Sequence, residues 1–160
     1  ILQVLLNADL DRAVAILAMP RTDTTAAEVR RAQNEQPAES FWRWRLNMAE
    51  HIAACIDPER LGVKDIYVFG STKNATAGPS SDIDLLIHFQ GSKEQRDMLD
   101  SWLAGWSLCL AEINYLQTGY RTDGLLDCHI ITDDDIARKT SYAVKIGAVT
   151  DAARPLPMRK

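Results

Sequence analysis

Apolar residues recur with two different periods along this 160-residue chain, and each change of period marks an element. Two short helices are expected first. Residues 9–18 (DLDRAVAILA) stop near Pro20, and residues 24–33 carry Thr25 three positions before Glu28, a capping-box spacing. Pro37 breaks the run, and Ser40 is placed to cap a third helix over residues 41–56, with Phe41, Trp44, Met48, Ile52 and Cys55 on one apolar face. The pattern then shortens to strands at residues 66–69 (IYVF) and 82–89 (DIDLLIHF). A long helix follows over residues 92–116, where Leu99, Trp102, Leu103, Trp106, Cys109, Leu110, Ile113 and Leu116 predict a wide buried stripe. The turn GYRTDG leads into a third strand, LLDCHII. Thr132 or Asp133 is placed to cap a last helix over residues 134–146, and the acids at 133–135 suit the positive end of its dipole. Residues 147–160, with two prolines and a basic end, read as irregular.

Helix, strand, strand, long helix, strand, helix predicts an α+β (mixed α/β) core, a short mixed sheet with helices packed on one side. The expected division is an N-terminal helical extension over 1–60, a core over 61–150 and a tail over 151–160, in one structural domain overall. A hydrophobic fraction of 46% supplies enough apolar surface for such a core. The net charge of −4 and pI near 5.3 argue against extended DNA binding, though not against a local basic patch. Cys55, Cys109 and Cys128 lie in apolar contexts without metal-ligand spacing, as buried free thiols of a reducing compartment would. No apolar run approaches a membrane span and the first residues lack the basic start of a signal peptide. The expectation is a cytoplasmic protein, and the absent initiator Met leaves room for a fused or partner domain.

The chemistry is concentrated between residues 66 and 89. An apolar strand ends in Gly70-Ser71, where glycine permits a close backbone approach and serine offers a hydroxyl and an N–H to an anion. Asp82 and Asp84 flank Ile83, so in a strand their carboxylates share a face. Two ionised carboxylates so close repel unless a cation lies between them, and oxygen ligands favour Mg²⁺ or Mn²⁺. Asp127, alternating with Leu126 and Cys128, is the candidate third ligand if its strand pairs nearby. By parity His88 keeps step with Asp84 and His129 with Asp127, so either histidine is a candidate for the pocket wall. His51 reads as exposed or packed rather than as a ligand, and Trp42, Arg43 and Arg45 as a base-stacking group or a helical surface against another domain.

This combination resembles the DNA polymerase beta-like nucleotidyltransferase superfamily in its minimal form: Gly-Ser after one strand, Asp-x-Asp on the next, a further Asp on a later one. The resemblance spans residues 63–131. It implies that Asp82, Asp84 and Asp127 are catalytic and hold two Mg²⁺ or Mn²⁺ ions, with Asp127 also activating an acceptor hydroxyl. Gly70, Ser71, Lys73 and Asn74 are the implied nucleotide-binding residues. Many minimal members carry Arg-Gly at the third and fourth positions after the serine; here those places hold Asn74 and Ala75, leaving Lys73 as the available cation. The implied reaction moves a nucleoside monophosphate from an NTP to a hydroxyl of an unidentified acceptor, releasing pyrophosphate. A non-catalytic nucleotide-binding or interaction domain of a larger protein is the competing reading.

Overall fold

The computed structural model describes residues 39–158; the two helices expected within the first 38 residues lie outside them. Contacts divide the chain into units Ile1–Ala32 and Gln33–Lys160, and the second holds every element below.

Helix α1 spans Glu39–Cys55, so Ser40 lies within it rather than capping it. Its buried face is turned from the expected one: Arg45, Ala49, Ile52 and Ala53 are fully buried, with Ile56 just beyond, while Cys55 is exposed. Alanines at 49 and 53 let the helix approach the sheet closely. The one-turn helix α2, Pro58–Leu61, is capped by the Asp57 carboxylate, which accepts from the Arg60 N–H, and stops at Gly62 with φ +65°. Strand β1 (Val63–Val68), the one-turn α3 (Gly70–Lys73) and strand β2 (Ile83–Phe89) follow. Helix α4, Lys93–Thr118, opens on a reciprocal Ser92–Gln95 capping box and ends at Gly119 with φ +73°. It carries the chain across to β3 (Leu126–Ile131), which is parallel to β2.

The sheet has the order β3-β2-β1-β4 and is mixed, because β1 is antiparallel to both β2 and β4. The outer strand β4 is Arg154–Pro155, paired with Tyr67 and Val68, within the segment that reads as irregular in sequence. An edge strand tolerates proline because its outer side needs no ladder donor. The last helix is also shorter than its periodicity suggested. Helix α5 covers Asp133–Arg138 and stops at Lys139, which takes the left-handed conformation (φ +53°), leaving a separate 3₁₀ turn at Ala143–Lys145.

Strand alternation divides the core in two. Ile66, Val68, Ile83, Leu85, Ile87 and Phe89 face α1 and α4 in the main core. On the opposite face Phe69, Leu86 and Ile131 pack with Ala143 and Ala153, so the chain after β3 covers that side. The α4 stripe is only partly buried: Leu99, Leu103 and Leu110 are, whereas Cys109 is exposed, Ile113 is 39% and Leu116 68% exposed. A 26-residue helix is about 39 Å long and a seven-residue strand about 23 Å, so α4 overruns the sheet that should cover it.

Candidate active site

The three aspartates are carried on the sheet face opposite α1 and α4. Asp84 lies directly beside Asp127 in the parallel ladder, and Ile83 beside Leu126. Adjacent strands are about 4.8 Å apart, so these two carboxylates are immediate neighbours. Asp82 precedes β2 by one residue, on the parity of Asp84. Burial, then Asp127, then Asp82 push the Asp84 carboxyl above its ordinary value, against the opposing pull of His129 and a backbone hydrogen bond. Asp82 is pushed up by burial and Asp127, with Arg45 pulling it back. Mutual repulsion of this kind is what a bound cation relieves.

Gly70 makes room for the site. Its φ is +64°, and a Cβ there would lie 2.8 Å from Asp84 Cγ and closer still to Asp84 Oδ2. The glycine therefore gives Asp84 its place above the β1–α3 turn, and the Phe69 N–H donates to the Asp84 carbonyl at 3.1 Å. Ser71 follows in the first turn of α3, where N–H groups lack helical partners. Its hydroxyl makes no hydrogen bond among the described residues. Ala75 has φ +59°, so it occupies a left-handed position that glycine would fill without strain.

Lys73 and Asn74 are engaged elsewhere. The Lys73 ammonium reaches Asp151 Oδ1 and donates to the Ala152 carbonyl at 3.1 Å, and Asn74 Nδ2 donates to the same Asp151 oxygen at 3.1 Å. The two histidines separate as well. His129 Nε2 lies 3.3 Å from Asp127 Oδ2, with its ring stacked on Tyr142 at 3.7 Å and 18°. His88 belongs to the far end of the same face, buried between Asp133 (2.8 Å) and Asp65 (3.5 Å), and lies outside the site.

Sequence reasoning missed four contributors. Arg45 is fully buried: its Nε donates to the Ser81 carbonyl at 2.8 Å, and its Nη2 to the Pro79 carbonyl and to Asn114 Oδ1 at 3.1 and 2.9 Å. Asn114 in turn donates to the carbonyls of Pro79 and Tyr120. This pair clamps the loop that delivers Asp82. Burial lowers the Arg45 pKa to about 10, which leaves it charged at neutral pH. Tyr142 and Lys145 arrive only because α5 stops early and the chain turns back; the Lys145 ammonium lies 5.0 Å above the Phe69 ring. No periodicity signals either placement.

The cysteines take no part. Cys55 and Cys109 are exposed rather than buried, and burial pushes the half-buried Cys128 thiol up to about 12. Among the described residues no three His, Cys, Asp or Glu side chains are grouped closely enough to hold a metal ion as they stand. The donor chemistry nevertheless fits a hard divalent cation: the aspartates offer oxygen alone, share a face and repel one another. No described helix is long and apolar enough to cross a membrane.

The fold is thus a mixed sheet with a Gly-Ser turn after β1 and Asp84 beside Asp127 on adjoining strands. Residues 51–135 match the family described as nucleotidyltransferase domain, which is more than half of the chain, and the protein belongs to that family. Its general chemistry is transfer of a nucleoside monophosphate from an NTP. No curated protein matches the chain significantly. Among solved structures, the 1.40 Å crystal structure of a candidate nucleotidyltransferase from Sulfolobus solfataricus is similar at 19% identity, covering 65% of this chain and 82% of that one. Its TM-score of 0.34 is too low for its geometry to guide the reading of this site.

Proposed function

We propose that this protein transfers a nucleoside monophosphate from an NTP to a hydroxyl of an acceptor, in a reaction dependent on Mg²⁺ or Mn²⁺. The observation that carries this reading is the pairing of Asp84 with Asp127 in register, on the parity of Asp82, with the carboxyls of Asp82 and Asp84 raised by burial and then by their acidic neighbours. Asp82, Asp84 and Asp127 would hold the ions, two in number as the family resemblance implies. When bound, such ions neutralise phosphate charge and acidify a hydroxyl.

The chain's own residues supply the rest. The Ser71 hydroxyl and the N–H groups of the α3 first turn donate to phosphate oxygens, over the space that Gly70 keeps open. Asp127 accepts the proton of the acceptor hydroxyl as that oxygen bonds to the α-phosphorus and the bond to the pyrophosphate oxygen breaks. His129, 3.3 Å from the Asp127 carboxylate and stacked on Tyr142, holds that carboxylate in orientation. Lys73 and Asn74 are available to the terminal phosphates once they leave Asp151.

A nucleotide-binding domain without turnover is the second reading. It uses the same carboxylates and Gly-Ser turn for binding alone. The experiment is a screen of the four NTPs against candidate small-molecule, protein and nucleic acid acceptors with Mg²⁺ or Mn²⁺, following label transfer and pyrophosphate release. Transfer with stoichiometric pyrophosphate supports the enzyme; metal-dependent NTP binding without either product supports the binding domain.

A further inference from the structure

The C-terminal segment crosses the site face and places one carboxylate among the donors nearest the Gly-Ser turn. Asp151 Oδ1 contacts the Lys73 ammonium and accepts from Asn74 Nδ2, and Asp151 Oδ2 lies 3.9 Å from the Lys145 ammonium. These contacts hold the Asp151 carboxyl below its usual range. Lys73 closes α3, three residues after Gly70, and Lys145 stands over Phe69, the residue before it. Both cations therefore flank the turn that presents Ser71. The Lys73 side chain is only 14% exposed, while that of Asp151 is 53% exposed. The carboxylate approaches from the solvent side, as a phosphate would.

Asp151 takes a left-handed conformation, φ +52°, which a residue with a Cβ adopts at a cost. After Asp151 the segment is held independently of that side chain: the Ala153 N–H donates to the Lys145 carbonyl, the Leu156 N–H to the Ile66 carbonyl, and Ala153 and Leu156 are buried. The Asp151 side chain can swing away without unfolding these anchors.

We propose that Lys73, Asn74 and Lys145 form a binding site for the terminal phosphates of the nucleotide and that Asp151 occupies it in the free protein, so that nucleotide must displace an internal competitor. The inference rests on the nucleotidyltransferase reading and adds Lys145 and Asp151 to it. A triphosphate carries more negative charge than one carboxylate and can span both ammonium groups, so it outcompetes Asp151 at sufficient concentration. Exchange of one anion for another also requires no cavity to be emptied.

The test is a calorimetric titration of the full chain with Mg²⁺–tripolyphosphate and, separately, Mg²⁺–ATP. Asp151→Asn removes the charge and keeps a side chain tolerant of positive φ; Asp151→Gly removes both charge and strain. Each should bind tripolyphosphate about threefold more tightly than wild type, the factor carried by a partly exposed ion pair. Adding Lys145→Gln or Lys73→Gln to Asp151→Asn should reverse the gain. Equal or weaker binding by both Asp151 variants, with Mg²⁺–ATP binding intact and thermal melting unchanged, overturns the internal competitor alone. Failure of every form to bind either ligand overturns it together with the transferase reading.

Discussion

Replacing Asp84 by Asn should make the metal-free protein more stable while abolishing its response to metal. Asp84 and Asp127 are register partners on neighbouring strands, so their charges lie about 5 Å apart. At that distance Coulomb repulsion is about 0.8 kcal/mol in water and about 3 kcal/mol at an effective dielectric of 20. Asp127 is exposed and Asp84 half-buried, which puts the expected gain near the lower end, about 1 kcal/mol, or about 3 °C in Tm for a chain of this size. Asn preserves the side chain's size against Gly70. The assay is thermal unfolding in EDTA and again with Mn²⁺. Wild type should gain about 2.7 kcal/mol at a hundredfold excess of Mn²⁺ over its Kd, and the variant should gain far less. A metal-free variant less stable than wild type, or one that keeps the full Mn²⁺ stabilisation, refutes the reasoning.

Gly70→Ala should destabilise by about 2 kcal/mol or more, from the left-handed backbone and the clash with the Asp84 carboxylate. In an Asp84→Ala background only the backbone part should remain, which a double-mutant cycle by denaturant unfolding measures directly. Arg45→Ala strips the Ser81 and Pro79 carbonyls and the buried Asn114 of a donor and should cost about 3 kcal/mol; denaturant midpoints check it, and a loss below about 1 kcal/mol would contradict the clamp. Because Asp82 and Asp84 titrate above their ordinary values, metal-free stabilisation from their protonated forms is complete below the unfolded pKa and is lost as pH rises through the folded one. Mn²⁺ affinity should run the opposite way, rising with pH across that window. Paramagnetic resonance titrations at several pH values test this, and affinity unchanged down to about pH 4 counts against it.

The aspartates were legible because strand alternation fixes a face before any coordinates exist, and because Asp82, Asp84 and Asp127 interrupt apolar runs. The register that joins Asp84 to Asp127 was not legible, since it depends on α4 returning the chain parallel to β2. Arg45 reads as a surface charge in sequence, and only the 79–81 carbonyls and Asn114 make its burial tolerable. Pro155 disguised β4, whose outer edge needs no N–H. The periodicity through residue 146 concealed the stop at Lys139, which sends Tyr142 to His129 and Lys145 to Phe69. Parity placed both histidines on the correct face, but distance along the strand decides which one meets the carboxylates.

The most direct test of nucleotidyl transfer is a single-turnover measurement with α-labelled NTP at saturation, comparing wild type and Asp127→Asn in the presence of Mg²⁺ or Mn²⁺ and the acceptor found by the screen. Asp127→Asn should still bind Mg²⁺–NTP through Asp82, Asp84 and Ser71, yet lose transfer by about a hundredfold or more. Wild-type binding without label transfer to any acceptor, or an Asp127→Asn variant as fast as wild type, would contradict the account.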